Sequence, residues 1–456
     1  MGFPLLSLVV PVRDRSRALN ELMAALECQV DAPSFEVVVV DDGSEPPVEI
    51  SDELNFPLRV SRQIPLATSA ARNRGVREAK GEVVLFVDSD CAPEPNSLRE
   101  LAQALEEFPE DQAFQLKLIS GEDTLVQCLE GLRLYGIQYA TKLDDGHYVG
   151  FANTSGFAVR RDWLGDDPPF DSAHLRGEDT GLLMRLVEAG SPPRHLPSAR
   201  VIHRPDLTTW QFLRKHFWIG YRAGLARTEM HQSGVEILSN QERGRMYRRI
   251  HRKARERGYG FTHLLVFSAC YANELLGRVA HNLFGLRRSR IRLGSLAIDP
   301  LRHTDLFAQV FQAAERGRPL LVAGVGKATQ RVAKRDPEFA AQLLEFDLLY
   351  AADASIRSQL WWRRLRRTHQ VDAQPWVAQL RLEARRRGIQ FAHLDAGMDQ
   401  LEGGEAFVLD RVIEDDPGLV LISGKSPDQE RLARRIAKSL PCAVIWCIGE
   451  ARSAQS

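Results

Sequence analysis

The sequence predicts an α/β protein with two sheets joined by a helical stretch. Three observations carry that expectation. Apolar runs alternate with segments of helical periodicity through the N-terminal part, which argues for a doubly wound parallel sheet. The same alternation resumes near residue 300, after a long basic and aromatic interval. The 456 residues also exceed one ordinary domain.

In chain order, "LLSLVVPV" is an apolar run ending near Pro11 and reads as the first strand. "SRALNELMAALECQ" sets Leu19, Leu22, Met23 and Leu26 on one helix face. "FEVVVVDD" is a second strand, buried on both faces, that ends in Asp41 and Asp42. "LRVSRQ" is a short third strand, and "TSAARNRGVREAKG" a helix expected to stop at Gly81. "EVVLFVDSDCAPEP" is another buried strand ending in carboxylates, Asp88 and Asp90. Asp-Gly after a strand is an ordinary turn signal. Two strands that both end in acids are another matter. Unpaired buried carboxylates are costly, so these acids belong at the strand mouths, where open α/β sheets bind ligands. One residue separates Asp88 from Asp90, so an extended backbone points both the same way. Mg²⁺ is commonly held by one or two carboxylates plus substrate phosphates. The cluster suits a metal-bridged nucleoside diphosphate.

Further along, "FANTSGFAVRRDWL" reads as a strand and turn. "HLRGEDTGLLMRLVEAG" is an amphipathic helix on Leu182, Leu183, Leu186 and Val187, with Asp179 near its first turn. Acids there are favoured by the helix dipole without any catalytic role. His203 follows a short apolar stretch in "ARVIHRP", a position equally compatible with a structural histidine. Residues 208–292 read as helices. The basic "ERGRMYRRIHRKARERG" and the interrupted apolar run after it fit a membrane surface with anionic lipids. They equally fit a helical hairpin packed on a neighbouring domain. No RNA- or DNA-binding motif accompanies the basic run, so nucleic acid is not an expected partner.

From residue 303 the pattern is helix–strand four times over, through "LLVAGVG", "LLYAADAS", "IQFAHLD" and "LVLISG", closing on "AVIWCIGE". "GVGKAT" does not have the P-loop spacing.

Composition is globular, at 44% hydrophobic and 26% charged, and 60 basic residues balance 60 acidic ones. That balance gives no global polyanion-binding character. The six cysteines show no C-x-x-C pair and make too thin a set for a disulfide framework, so a reduced cytoplasmic setting is expected. The first residues read as a strand rather than a signal peptide. No uninterrupted apolar run reaches the ~18 residues of a spanning helix.

"VVPVRDR", "VVVVDDGS", "ARNRG", "VLFVDSD" and "GEDTGLLMRL" occur in the order and spacing of family 2 glycosyltransferases, and the chain resembles them over about residues 5–225. The resemblance implies a GT-A fold in residues 1–225 and a nucleotide-diphospho-sugar donor. In nucleotide binding it implies Pro11 and Arg13 at the base and ribose, Asp42 as acceptor for the base (usually uracil), and Asp41 as its neighbour. Arg72 and Gly75 would lie close to the nucleotide, although Arg72 also reads as a surface helix residue. Asp90 would bind a divalent metal, Mn²⁺ or Mg²⁺, with His203 completing the site, and Asp88 would hold the ribose or a metal-bound water. Asp179 would be the catalytic base of an inverting reaction, and Glu178 would contact the acceptor or orient the loop. "GDDPPFDS" replaces the family's usual "GGF", which leaves the acceptor-side loop open.

Residues 303–450 resemble the WecG/TagA/CpsF type, glycosyltransferase family 26, through "AKRDPEFAAQLLEFDLLYAAD" and "DPGLVLISGKSPDQERLARR". That resemblance implies a second α/β domain at 299–456, after a connector at 226–298. Its candidate residues are Asp353, with Gln429 and Glu430 in a loop. Ala354 stands where the family has Gly, and Gly324 and Gly326 where it has Thr-x-Asn. Two expectations stay open: a weak transferase, or a domain that kept nucleotide binding or packing and lost turnover.

Together the resemblances imply an inverting glycosyltransferase of cell-surface polysaccharide synthesis. Its acceptor would be a glycan or polyprenyl-linked, and its place the cytoplasm or the inner face of the membrane. Rival readings are a bifunctional enzyme, a sugar nucleotidyltransferase and a non-catalytic nucleotide-sugar scaffold. The nucleotidyltransferases' glycine-rich N-terminal signature is not visible here.

Overall fold

The structure, a computed structural model, describes residues 4–50, 53–140, 145–148, 150–165, 169–170, 178–232, 240–284, 291–293, 296–299, 303–352, 356, 377–395, 416–423, 428–440 and 443–449. The chain divides into two compact units, Met1–Gly285 and Leu286–Ser456. Helices expected in a separate connector therefore fall in the first unit as far as Gly285.

The first unit is built on an eight-stranded sheet in the order β3-β2-β1-β4-β7-β6-β8-β5. The strands are β1 (Leu6–Val12), β2 (Phe35–Asp41), β3 (Leu58–Arg62), β4 (Val83–Phe86), β5 (Cys91–Pro93), β6 (Ala113–Ser120), β7 (Phe157–Arg160) and β8 (Arg194–His203). β3, β2, β1 and β4 are parallel, as the alternating pattern predicts. The other half is mixed: β7 runs antiparallel to β4 and β6, and β5 antiparallel to β8. A purely parallel sheet is thus corrected to a mixed one. The helices are α1 (Ser16–Glu27), α2 (Thr68–Glu78), α3 (Ser97–Glu107), α4 (Leu125–Ala140), α5 (Arg161–Leu164), α6 (Glu178–Glu188), α7 (Thr209–Gln232), α8 (Asn240–Glu256) and α9 (Phe261–Phe284).

The periodicities act as expected. Leu19, Leu22, Met23 and Leu26 of α1 are buried in the main core with Leu6, Leu8 and Val10 of β1. Leu182 and Leu186 of α6 bury against Phe86, Phe157 and Phe170 on the other face. Gly81 does not end α2, which stops at Glu78. A Cβ at Gly81 would lie 2.6 Å from the Ser7 nitrogen, so glycine is required there by a close backbone approach. Gly43 has φ +77°, the left-handed turn after β2 that glycine adopts without penalty.

Helices α4, α7, α8 and α9 form a layer beside the sheet with its own core, including Leu129, Phe212, Ile250 and Phe267. Gly220 of α7 packs directly on the α9 backbone; a Cβ there would sit 1.9 Å from the Glu274 carbonyl oxygen. Among the described residues no helix is long and apolar enough to cross a membrane.

The second unit holds a parallel five-stranded sheet in the order β12-β11-β15-β14-β13. Its strands are β11 (Leu320–Val325), β12 (Leu348–Ala351), β13 (Phe391–Asp395), β14 (Leu419–Ser423) and β15 (Val444–Gly449). A two-stranded pair, β9 (Ile291–Leu293) and β10 (Leu296–Ile298), precedes them. Helices α10 (His303–Glu315), α11 (Lys327–Arg335), α12 (Pro337–Leu344), α13 (Val377–Arg386) and α14 (Asp428–Ser439) alternate with the strands as the pattern predicts. Asp336 starts α12 by accepting a hydrogen bond from the Phe339 amide at 2.9 Å, with Pro337 at the first helical position.

Candidate active site

The first unit's acids gather where β2 and β4 end on either side of β1, the switch point of the parallel half-sheet. Pro11 is buried within β1, and Arg13 lies exposed just past its end. Asp41 closes the turn: its Oδ1 accepts from the Ser44 amide at 2.8 Å, and Arg62 stands 3.8 Å from its Oδ2. Asp42 turns inward and accepts from the Gln63 side chain at 2.8 Å and the amides of Leu66 and Ala67 at 2.7 and 3.0 Å. Burial pushes its carboxyl up to about 6, against the pull of those donors and of Arg13. A carboxylate offers about four lone-pair sites, so one acceptor position remains beyond these three bonds.

Asp88 and Asp90 do not lie on an extended segment. The Cys91 amide donates to the Asp88 carbonyl at 3.0 Å, closing a turn that sends the two carboxylates to different partners. Asp88 accepts from Arg72 Nη2 at 2.7 Å and Ser155 Oγ at 2.7 Å. Asp90 pairs with Arg15, and its Oδ1 lies 3.7 Å from His203 Nε2. The common direction expected from their spacing is thereby corrected.

Arg72 is a buried helix residue rather than a surface one, with only 4% of its side chain exposed. Gly75, one turn later, lets α2 lie against β1: a Cβ there would meet Val9 Cγ1 at 2.3 Å. That approach drives Arg72 beneath the strand ends. Its Nη2 holds Asp88, and its Nη1 lies 3.9 Å from Asp179 Oδ1. One guanidinium thus spans an acid from the β4 turn and an acid from α6. Asp179 also accepts from Thr154 Oγ1 at 2.7 Å. Asn73 fixes the approach to α6 with two bonds to the Phe170 backbone, at 2.7 and 3.0 Å. Glu178 begins α6 beside Asp179. The segment "GDDPPFDS" lies mostly outside the described residues.

Thr154 and Ser155 were not singled out in the sequence, although "NTS" lies inside the stretch read as a strand and turn. Gln115 of β6 holds their loop, donating to the Gly156 carbonyl at 2.9 Å and accepting from the Asn153 amide at 2.8 Å.

Sheet register brings His203 to Asp90. His203 pairs with Cys91 on β5 and with Ser120 on β6. Asp90, Cys91 and His203 are the one grouping of metal-capable side chains found among the described residues. Burial opposes ionisation of Asp90, but His203 and Arg15 outweigh it and hold the carboxyl down at about 2. Burial likewise works against a charged His203, while Asp90 and Glu130 lift it to about 9. Burial, then the charges of Asp90 and Asp88, push the Cys91 thiol well above its usual range. A protonated thiol is a poor ligand for a hard cation. Asp90 offers a carboxylate oxygen and His203 an imidazole nitrogen once an incoming cation displaces its proton, so these two fit a divalent ion; the thiol of Cys91 is the wrong donor for a hard one.

In the second unit Asp353 lies outside the described residues. Gln429 and Glu430 are not in a loop but in the first turn of α14, where acids favour the helix start. Both are buried: Gln429 donates to Glu430 at 3.1 Å, and the Cys447 thiol to the Gln429 carbonyl at 3.5 Å. Their place on a helix rather than in a loop corrects the sequence expectation.

The frame is that of an α/β ligand-binding domain with acids at its switch point. Residues 7–166 match the family model "Glycosyl transferase family 2". The chain is 30% identical over 245 residues to the "Pre-mycofactocin glycosyltransferase" of Mycobacterium tuberculosis, which covers 51% of this chain and 50% of that protein. It is 24% identical over 229 residues to "Glycosyltransferase AglE" of Haloferax volcanii, covering 48% and 72%. The solved structure of S. aureus TarS 1-349 aligns at 17% identity over 63% of this chain and 94% of that one, with a TM-score of 0.33. The chain spans about half the length of the Mycobacterium relative. The matched family model ends at residue 166, within the first unit.

Proposed function

We propose that the protein is an inverting glycosyltransferase, with its catalytic centre in the first unit, that uses a nucleotide-diphospho-sugar with UDP as carrier. The observation that carries this reading is the Arg72 bridge between Asp88 and Asp179. It brings close together the two acids that this reading assigns to the donor and to the acceptor. In this reading Asp42 accepts from the base with Pro11 and Arg13 beside it, and Asp88 faces the ribose side. Asp179, aimed by Thr154, takes the acceptor hydroxyl's proton as that oxygen attacks the anomeric carbon. The new C–O bond forms as the bond to the diphosphate breaks, and the nucleoside diphosphate leaves with the electron pair. A single base with no covalent sugar intermediate inverts the anomeric centre. Asp90 and His203 would hold a divalent cation, which when bound offsets charge on the leaving diphosphate.

The test is a nucleotide-sugar screen with Mn²⁺ or Mg²⁺ that monitors nucleoside diphosphate release with and without chelator. Release that requires both an acceptor and the metal supports the reading; pyrophosphate release would select a nucleotidyltransferase instead. Turnover unchanged in Asp179→Asn would sink the role given to that acid.

The acceptor we propose is a glycan or polyprenyl-linked sugar met at a membrane surface. Phe261, Leu265, Leu276 and Val279 form an exposed apolar stripe on α9. Arg245, Arg248, Arg252 and Arg255 line the exposed face of α8, which packs on α9 through Tyr247 and Tyr271. Apolar and basic faces on adjacent helices suit anionic lipid. Flotation with phosphatidylglycerol vesicles, lost in Phe261→Asp, checks this. For the second unit we keep the family-26-like reading, with Gln429 and Glu430 as packing residues. Asp353→Ala removing one of two separable activities would instead support a bifunctional enzyme.

A further inference from the structure

Glu130 is a deeply buried acid of the first unit that the site described above does not use. It sits on α4, in the apolar run "LVQCLEGLRLYG", with only 1% of its side chain exposed. A lone carboxylate so deeply buried is costly unless it is paired. Arg133 grips it with two bonds at 2.8 and 2.7 Å. Lys215, reaching in from α7, stands 3.8 Å from its Oε1. The same Oε1 lies 3.6 Å from His203 Nδ1, while His203 Nε2 faces Asp90 at 3.7 Å. The imidazole therefore stands between two carboxylates, one at the strand mouth and one beneath it. The charge on Glu130 is secured chiefly by Arg133 of its own helix, with Lys215 of α7 adding a second positive charge.

We infer that Glu130 is a positioning residue for the cation site: it holds the His203 ring by Nδ1 so that Nε2 is presented beside Asp90, and Arg133 and Lys215 hold Glu130 in turn. Carboxylates behind a metal-binding histidine fix its orientation and tautomer and raise its basicity. Nδ1 faces Glu130 and Nε2 faces Asp90, so an ion taken up at Nε2 would displace the proton there and leave the one on Nδ1 toward Glu130. Lys215 also ties the helical layer to the site, so the α4–α7 packing sets how firmly the ring is held. This inference rests on the proposal that Asp90 and His203 bind a divalent ion.

The experiment is a double-mutant cycle read by Mn²⁺ binding alone, using electron paramagnetic resonance on the full chain without donor or acceptor. Wild type, Glu130→Gln, His203→Ala and the double variant are titrated. The expected result is a loss of affinity on the order of tenfold in Glu130→Gln, with no further loss when the change is made in the His203→Ala background. Lys215→Met lowers affinity by a smaller factor, about two- to threefold on the same scale. It keeps the inference testable if Glu130→Gln fails to fold, because Lys215 is partly exposed. Unchanged Mn²⁺ affinity in a folded Glu130→Gln, or equal losses in both backgrounds, overturns the inference while leaving the metal site standing. Absence of Mn²⁺ binding in the wild type overturns the metal site itself, and the inference with it.

Discussion

Asp42 and Asp179 are both carboxylates near strand or helix ends, yet their surroundings differ. Asp42 is buried and held by three donors, with its carboxyl pushed up to about 6. Its folded value lies above the ordinary 3.8, so the folded chain binds the extra proton more tightly than the unfolded chain does. The associated stability is present below pH 3.8 and is lost as pH rises through about 6. On the proposed reading, a protonated Asp42 would offer a hydrogen where the nucleobase needs an acceptor. Uridine, which carries no titrating phosphate, is therefore expected to bind about tenfold more weakly one pH unit below that value than well above it. Calorimetry across this range checks it, and Asp42→Asn should flatten the profile. For Asp179→Asn the expected change is a fall in kcat of about 10²–10⁴-fold, with no loss of nucleotide affinity, since Arg72 is then freer for the diphosphate. Steady-state rates set beside a binding isotherm separate the two effects.

At the scale of the element, much of the site is placed by glycines and by sheet register. The parallel strands were legible because "VVVVDD" and "VLFVDSD" are continuous apolar runs that end in acids. The antiparallel half was not, because β7 is four residues long and its partners lie far off in sequence. The turn between Asp88 and Asp90 was hidden for a similar reason: a two-residue spacing reads as strand unless a backbone bond says otherwise. Arg72 looked like any helix arginine until Gly75 brought α2 onto Val9. Glu130 was masked by its own helix, where an acid three residues before Arg133 reads as an ordinary surface pair. In the helical layer, Gly220→Ala is expected to force α7 away from the Glu274 backbone and cost roughly 1–3 kcal/mol. Denaturant unfolding measures that loss, and Mn²⁺ affinity should weaken too if α7 braces Glu130 through Lys215.

For the whole molecule, two units with separate cores and separate sheets divide the chain near residue 285. The acid cluster described here belongs to the first. Chelator is accordingly expected to abolish nucleotide release while leaving the second unit's fold untouched, as circular dichroism would report. The Arg72 bridge has a consequence for the order of events. On the proposed reading of Asp179 as the base, a guanidinium 3.9 Å away before any ligand arrives would keep that base idle. An incoming diphosphate competes for the same positive charge, and only then is Asp179 released to attract a hydroxyl. The nucleotide-sugar should thus enter first and the spent nucleotide leave last, in a compulsory sequence. Product-inhibition patterns reveal it: the nucleoside diphosphate should compete with the donor but not with the acceptor.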